Sequence, residues 1–203
     1  MATIVIRDTE EIIKGQEKVQ AFLESQEVLY EHWDPAKLPV ELQDNCHIND
    51  TEKAQILATY DEDIRSLAER RGYKNWDVIA LNENTPDLDA LLKKFEQVHT
   101  HTEDEVRAIT AGSGSFVIKG ADVGYFDVQL EPGDVISVPV DTPHFFTLSS
   151  ERQVVAVRLF IDPEAGLPTN LMIQLSHQTK SYKGAYDTIV LSLFFWRDIH
   201  DAL

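Results

Sequence analysis

The stretch HTHTEDEVR, residues 99–107, places three potential metal ligands within seven positions: His99, His101 and Glu105. Residues two apart in an extended segment point to the same side, so both imidazoles can face inward. The polar residues between His101 and Glu105 can turn or bulge and bring the carboxylate round. A fourth candidate, His144, lies much later in the chain, and a β-barrel would bring such distant strands side by side. The sequence therefore predicts one metal ion per chain on these four residues.

The donor types limit the chemistry of this site. Imidazole and carboxylate groups suit iron, nickel, manganese or zinc, and the lack of a thiolate disfavours a closed structural zinc site. Four protein ligands on a six-coordinate ion leave two positions for a chelating substrate. Isolated histidines are more often ordinary core or surface residues, so the others receive no role: His32, His47, His177 and His200.

The chain from Gln97 onward shows short apolar segments separated by glycine, proline and aspartate. The expected strands cover residues 106–110, 114–119, 125–130, 135–138, 145–148 and 154–160. Strands at such even spacing, with turn residues between them, are typical of an antiparallel sandwich or barrel. The clearest turn is Glu131-Pro-Gly-Asp134.

The first ninety or so residues favour mixed, mostly helical structure. Apolar residues at helical spacing predict helices over 9–13, 18–27, 51–70 and 88–95, with Thr51 as a cap and Gly72 as a stop. Two further strands are expected at 29–33 and 76–81. We therefore expect a mainly β protein with a helical N-terminal part, forming a single domain over residues 1–203. Its barrel core covers about 76–165, and the C-terminal tail is atypical.

Composition narrows the functional classes. The 203 residues carry a formal net charge of −17, which disfavours nucleic acid and anionic membranes as partners. No apolar run approaches the roughly 20 residues of a membrane helix, and the N-terminus lacks the features of a secretory signal. Cys46 is the single cysteine, so the fold does not depend on an intrachain disulfide. A cytoplasmic protein is expected, as a monomer or a weak homo-oligomer.

Two segments match known motifs. Residues 99–105, followed by Gly112-x-Gly114, resemble the first cupin motif, and GDVISVPVDTPH at 133–144 resembles the second. A narrower match over roughly 21–166 resembles the acireductone dioxygenase family. The matching segments are 30–33, 60–64, 72–73, 77–78, 99–107, 136–139 and 157–160.

The resemblance implies a cupin fold, a double-stranded β-helix or jelly-roll barrel. It also implies cleavage of 1,2-dihydroxy-3-keto-5-methylthiopentene by dioxygen in the methionine salvage pathway. With Fe(II) the family forms 2-keto-4-methylthiobutyrate and formate. With Ni(II) it forms 3-methylthiopropanoate, formate and carbon monoxide. The sequence leaves open which of the two metals is bound, and hence the products.

Further site residues follow from the same two sources. The resemblance implies a catalytic role for Thr102, in forming the substrate dianion, and for Arg107, in contacting substrate and relaying local change. Strand parity also places Arg107 on the side of Glu105, where its charge could stabilise an anion. Arg158 and Phe145 are candidates for substrate binding, the former on a late strand and the latter as a wall for a methylthio tail.

The sequence departs from the family pattern at two places. Val98 stands where the family commonly has glutamate, and Ala108-Ile109-Thr110 stands where aromatic residues usually follow the arginine. Alternative functions are therefore a cupin dioxygenase for another enediol or diketone, and a non-catalytic cupin that binds a metal or small ligand. A third is a partner-binding role of the apolar tail.

Overall fold

Ten strands and four α-helices make up residues 1–161, the part of the chain that the computed structural model describes. The strands are β1 (Thr3–Ile6), β2 (Glu11–Ile13), β3 (Leu29–His32), β4 (Asn75–Leu81), β5 (Glu105–Gly112), β6 (Gly114–Lys119), β7 (Tyr125–Leu130), β8 (Asp134–Val138), β9 (His144–Leu148) and β10 (Val154–Phe160). The helices are α1 (Gln16–Ser25), α2 (Asp50–Thr59), α3 (Asp61–Arg71) and α4 (Leu88–Phe95), with a 3-10 turn at Pro35–Lys37.

The strands form two five-stranded antiparallel sheets. The first has the order β2-β1-β7-β6-β9 and the second the order β3-β8-β5-β10-β4. Side chains of both sheets share one buried core, in which Phe116 and Phe126 of the first meet Ile109 and Ile136 of the second. Within residues 1–161 the two sheets are not joined into one closed ladder, but the predicted cupin architecture is confirmed.

Helices α2 and α3 cover the other face of the second sheet. Ile64 and Leu67 of α3 are fully buried and pack with Val106, Val135 and other outward side chains of that sheet. Strands that are covered on both faces have nearly continuous apolar sequences. This accounts for β8, where all five residues are buried.

Most of the predicted elements are confirmed. The strands expected from residue 76 onward are present with bounds shifted by at most two residues, and α4 has the predicted bounds. Gly72 ends α3 in the left-handed conformation, with φ of 84°, which costs a residue without a Cβ little.

Two predictions for the N-terminal part are wrong. Residues 9–13 do not form a helix, because β2 pairs with β1 instead and places Ile13 opposite Ile4. The single helix expected over 51–70 is two helices that meet at Tyr60, whose backbone leaves helical values and whose buried ring lies 5.3 Å from that of Trp33. In both cases a non-local contact overrides the local helical pattern.

The described residues all belong to one compact unit. No helix within them is both long and apolar enough to cross a membrane. The extension of this domain to residue 203, and the association role of the apolar segment 187–200, concern residues outside the described part and stay predictions.

Helix α2 is capped by Asn49 rather than by the predicted Thr51. The Asn49 side chain accepts a hydrogen bond from the Glu52 amide at 3.0 Å, and the Glu52 carboxylate accepts one from the Asn49 amide at 2.7 Å. This reciprocal capping box satisfies two backbone donors that would otherwise lack helical partners.

Replacing Asn49 by alanine removes this cap, and we expect a loss of about 1 kcal/mol in the free energy of unfolding. Thr51→Ala is the matched control and should change it by less than about 0.5 kcal/mol. Urea unfolding of both variants measures the difference. Equal losses in the two variants would contradict the assignment of the cap.

Candidate metal centre

The two histidine segments are joined through their backbones. The His99 amide donates to the His144 carbonyl at 2.9 Å, and the His144 amide returns a bond to the His99 carbonyl at 3.0 Å. Residues 99–101 form an extended segment with this single bridge rather than a full strand. The bridge lays the segment before β5 against the start of β9, which places His144 beside His99 despite their distance in sequence.

Glu105, the first residue of β5, supplies the carboxylate of the cluster. Its Oε2 atom lies 2.7 Å from Nε2 of His144, 2.8 Å from Nε2 of His101 and 3.9 Å from Nε2 of His99. The potential ligand atoms of these four residues all lie within 4.8 Å of one another. The polar turn at residues 102–104 therefore brings the carboxylate to the imidazoles, as the sequence predicts.

Two backbone carbonyls fix the tautomers of the imidazoles. Nδ1 of His99 lies 2.7 Å from the Gln97 carbonyl, and Nδ1 of His144 lies 2.7 Å from the Thr142 carbonyl. A carbonyl oxygen only accepts, so each Nδ1 carries a proton and each ring directs its Nε2 atom inward. Metal-binding histidines are commonly oriented in this way. Nδ1 of His101 is buried and has no hydrogen-bond partner within the described residues.

The inward Nε2 atoms require a proton or a metal ion between them and Glu105. Nε2 lone pairs that face a carboxylate oxygen at hydrogen-bond distance repel it unless a proton or a metal ion lies between them. Ligands about 2.1 Å from one ion lie about 3–4 Å apart, which matches the spacing of these donors. Imidazole and carboxylate are also the donors that divalent transition metals accept. The residues fit a single divalent ion.

Arg107 sets the charge of the carboxylate. Burial alone would raise the pKa of Glu105, but the Arg107 guanidinium and the three imidazoles hold that pKa well below its ordinary value. Arg107 Nη2 lies 2.7 Å from Oε1 of Glu105, so one carboxylate oxygen pairs with the arginine and the other faces the histidines. Burial lowers the pKa of His99, yet the contacts with Glu105 and the Gln97 carbonyl raise it above its ordinary value. Glu105 is therefore an anion that favours positive charge at the histidines.

The cluster forms one end of a cavity between the two sheets. Its polar lining consists of His99, His101, Glu105 and Arg107. The remaining wall is apolar and comprises Ile79, Leu81, Phe95, Ile109, Phe146, Val154 and Ala156. The parity argument for Arg107 holds, because Glu105, Arg107 and Ile109 alternate along β5 onto this one face. The site can thus hold a small molecule with an anionic, chelating end and an apolar tail.

Phe145 is not among the residues that line this cavity, whereas its neighbour Phe146 is, and the role of Phe145 in substrate binding stays a prediction. Successive side chains of a strand point to opposite faces, so Phe146 shares the face of His144 and Phe145 takes the other. The Phe145 ring lies under the Arg7 guanidinium, 5.6 Å away, whereas the Phe146 ring lies 5.0 Å from the core residue Phe116.

The other two predicted residues lie near the site without lining the cavity. Thr102 is exposed in the turn between His101 and Glu105. Arg158 stands opposite Arg107 in the β5–β10 register, and its guanidinium pairs with Asp77 of β4, with Nε 2.7 Å from the carboxylate. Neither placement tests a catalytic or binding role, and both roles stay predictions.

The sequence reasoning missed most of the apolar wall. Strand alternation could have predicted Phe146 and Ile109. Phe146 stands two residues after His144, and Ile109 stands two residues after Arg107, and both of these were already assigned to the inner face. Phe95, at the end of α4, carried no comparable signal, since its place depends on how α4 packs against the sheets.

Comparison with known proteins gives a consistent result. A sequence model of the ARD/ARD′ family matches residues 3–168. An acireductone dioxygenase of Geobacillus kaustophilus is 63% identical over 164 residues, which are 80% of this chain and 91% of that protein. One from Bacillus subtilis is 50% identical over 169 residues, 83% of this chain and 95% of that protein.

A solved structure also resembles the chain. It is that of an acireductone dioxygenase from Bacillus anthracis with a cadmium ion in its active center. The TM-score is 0.81 at 48% sequence identity, and the match covers 83% of this chain and 97% of that one.

His101→Ala should lower the affinity for Ni(II) by more than about a hundredfold, since losing even a supporting contact of a ligand costs 10–100-fold. His47→Ala is the control, because His47 is half exposed and pairs with Glu83 away from the cluster. Calorimetric titration of the metal-free proteins measures both affinities, and circular dichroism verifies folding. A folded His101→Ala protein with the original affinity would contradict this ligand assignment.

Proposed function

Because the chain belongs to the ARD/ARD′ family and is an enzyme of the acireductone dioxygenase type, we propose that it cleaves 1,2-dihydroxy-3-keto-5-methylthiopentene with dioxygen. The proposed metal ligands are His99, His101, Glu105 and His144. The proposed cofactor is one Fe(II) or Ni(II) ion per chain.

The observation that carries this proposal is the composition of the cavity. Four donors for one ion and the fixed charge of Arg107 lie at one end, and an apolar wall lies beyond them. An acireductone has the matching form, with an enediol that becomes an anion at one end and a thioether tail at the other.

A divalent ion held by these four residues would chelate the enediol oxygens of the substrate and lower their pKa. Arg107 supports the same end of the substrate through charge. Its guanidinium lies against Glu105 at the cavity wall, where a fixed positive charge offsets the negative charge of an enediolate. The exposed hydroxyl of Thr102 lies in the turn beside His101, and we assign it to proton transfer during dianion formation.

Arg107 also fixes the orientation of Glu105. It holds Oε1, which leaves Oε2 as the oxygen directed at the imidazoles. A carboxylate held in this way would present one oxygen to a metal ion. Arg158 is paired with Asp77 in the neighbouring strand register, and its role in substrate binding is to add positive potential beside Arg107.

The apolar wall would take the methylthio tail and exclude water from it. Phe146 and Phe95 contribute rings, and Ile79, Ile109 and Val154 contribute branched side chains. Burial of such a tail stabilises the complex by about 25 cal/mol per Å² of apolar surface. Exclusion of water also strengthens the charge interactions at the metal end.

We propose that the reaction is a step of methionine salvage and that it takes place in the cytoplasm. Iron would direct cleavage to formate and 2-keto-4-methylthiobutyrate, the precursor of methionine. Nickel would direct it to formate, carbon monoxide and 3-methylthiopropanoate. Cys46 is buried and its thiol is free, which suits a reducing compartment.

The test loads metal-free protein with Fe(II) or Ni(II) under anaerobic conditions and mixes it with the acireductone and then with oxygen. We expect loss of the ultraviolet band of the acireductone, oxygen uptake and the product pattern of each metal. Metal uptake without turnover would overturn the proposed substrate. It would favour another enediol or diketone as the substrate.

Phe146→Ala should lower kcat/KM for the acireductone about tenfold, because a loss of roughly 1.4 kcal/mol of apolar contact corresponds to that factor. Phe145→Ala removes the same ring from the opposite face of β9 and should leave kcat/KM within about twofold. Steady-state kinetics of the two metal-loaded variants, with thermal unfolding as a check on folding, makes the comparison. A larger effect at Phe145 would contradict the proposed tail site.

A further inference from the structure

Asp104, which directly precedes the proposed ligand Glu105, directs its carboxylate away from the four donors. It accepts three hydrogen bonds from other parts of the chain. Its Oδ2 atom accepts from Nη2 of Arg71 at 2.7 Å and from the Tyr73 hydroxyl at 3.0 Å, and its Oδ1 atom accepts from the Val140 amide at 3.2 Å. One side chain thus joins the turn at 102–104 to the end of α3 and to the loop at 139–143.

The loop at 139–143 leads directly to His144. Two successive amides of this loop bind the ligand-bearing turn, since Val140 donates to Asp104 and Asp141 donates to the His101 carbonyl at 3.0 Å. The next residue, Thr142, provides the carbonyl that fixes the tautomer of His144. Displacing this loop would therefore move both the position of His144 and the acceptor that orients its ring.

The opposite side of the Asp104 carboxylate is held by the helical part of the protein. The left-handed conformation of Gly72 lets Arg71 and Tyr73 on either side of it reach the same carboxylate. Tyr73 is 6% exposed, and its hydroxyl also lies 3.2 Å from the hydroxyl of Ser137 on β8. Burial raises the pKa of Tyr73, so the phenol keeps its proton and remains a donor.

We propose that Asp104 is a positioning residue of the metal centre, which clamps the turn bearing Glu105 against the loop that orients His144. This inference rests on the proposed metal site and adds a residue to it. Asp104 touches neither the donors nor the cavity, so it acts only through the segments that it joins. The end of α3 and the residue after Gly72 thereby gain a role at the metal centre, because Arg71 and Tyr73 are two of the three partners of Asp104.

Removal of the clamp should weaken metal binding while the fold persists. Contacts that orient ligands typically contribute 10–100-fold to metal affinity. The Asp104 carboxylate is partly exposed, at 20%, and a single ion pair with Arg71 at such a site adds little to folding. Metal affinity and folding stability therefore separate the proposed role from a purely structural one.

The experiment compares Asp104→Asn and Asp104→Ala with wild-type protein. Asparagine can still accept from the Val140 amide but cannot accept from both Arg71 and Tyr73, whereas alanine accepts from none. Asp127→Asn is the matched control, because Asp127 pairs with Arg7 at 2.8 Å and is 23% exposed, on the opposite sheet. Each metal-free protein is titrated calorimetrically with Ni(II), the visible spectrum of the Co(II) form reports coordination geometry, and urea unfolding reports stability.

We expect Ni(II) affinity to fall about tenfold in Asp104→Asn and up to about a hundredfold in Asp104→Ala, with an altered Co(II) spectrum. Asp127→Asn should match wild type. Unchanged affinity and spectrum in both Asp104 variants would overturn the role of Asp104 while leaving the metal site intact. The role would also be overturned if the apparent loss of binding only matched the fraction of unfolded protein, so that the folded variants bound Ni(II) as tightly as wild type. A wild-type chain that binds no Ni(II) would overturn the metal site and this inference together.

If Asp104→Ala does not fold, Asp104→Asn and Tyr73→Phe carry the test. Tyr73→Phe removes one hydroxyl donor and keeps the buried ring. Weaker metal binding in both variants supports the clamp, and wild-type affinity in both overturns it.

Discussion

Three imidazole nitrogens and one carboxylate oxygen converge on a space that only a cation can occupy favourably. Backbone carbonyls accept hydrogen bonds from the outer nitrogens of His99 and His144, so their inner nitrogens face Glu105. Such an arrangement is unfavourable in an empty cavity. Much of the surrounding structure, from the His99–His144 bridge to the Arg107 contact, serves to keep these groups together.

The fold brings these groups together because each of its two sheets contributes different residues to the site. The second sheet is covered by α2 and α3 on one face and contributes Glu105 and Arg107 to the cavity on the other. The first sheet ends at β9, where His144 begins the strand and Phe146 follows on the same face. Metal donors and apolar wall thus come from both sheets, and neither sheet alone would form the site.

Local sequence patterns were sufficient to predict those site residues that lie close together in the chain. His99, His101 and Glu105 lie within seven residues, and strand alternation placed Arg107 correctly beside Glu105. The pairing of β2 with β1, the break at Tyr60 and the position of Phe95 all depend on contacts with distant segments. The spacing of apolar residues along the chain does not predict contacts between distant segments. Phe146 differs from these cases, because strand alternation from His144 places it on the inner face and this alternation was available from the sequence.

The central claim is that His99, His101, Glu105 and His144 bind one ion together. Anomalous diffraction at the nickel edge, from crystals of the Ni(II)-loaded protein, tests it most directly. We expect one anomalous peak per chain, about 2.1 Å from the three Nε2 atoms and from Oε2 of Glu105. A peak elsewhere, or one that lacks any of these four ligands, would contradict the account.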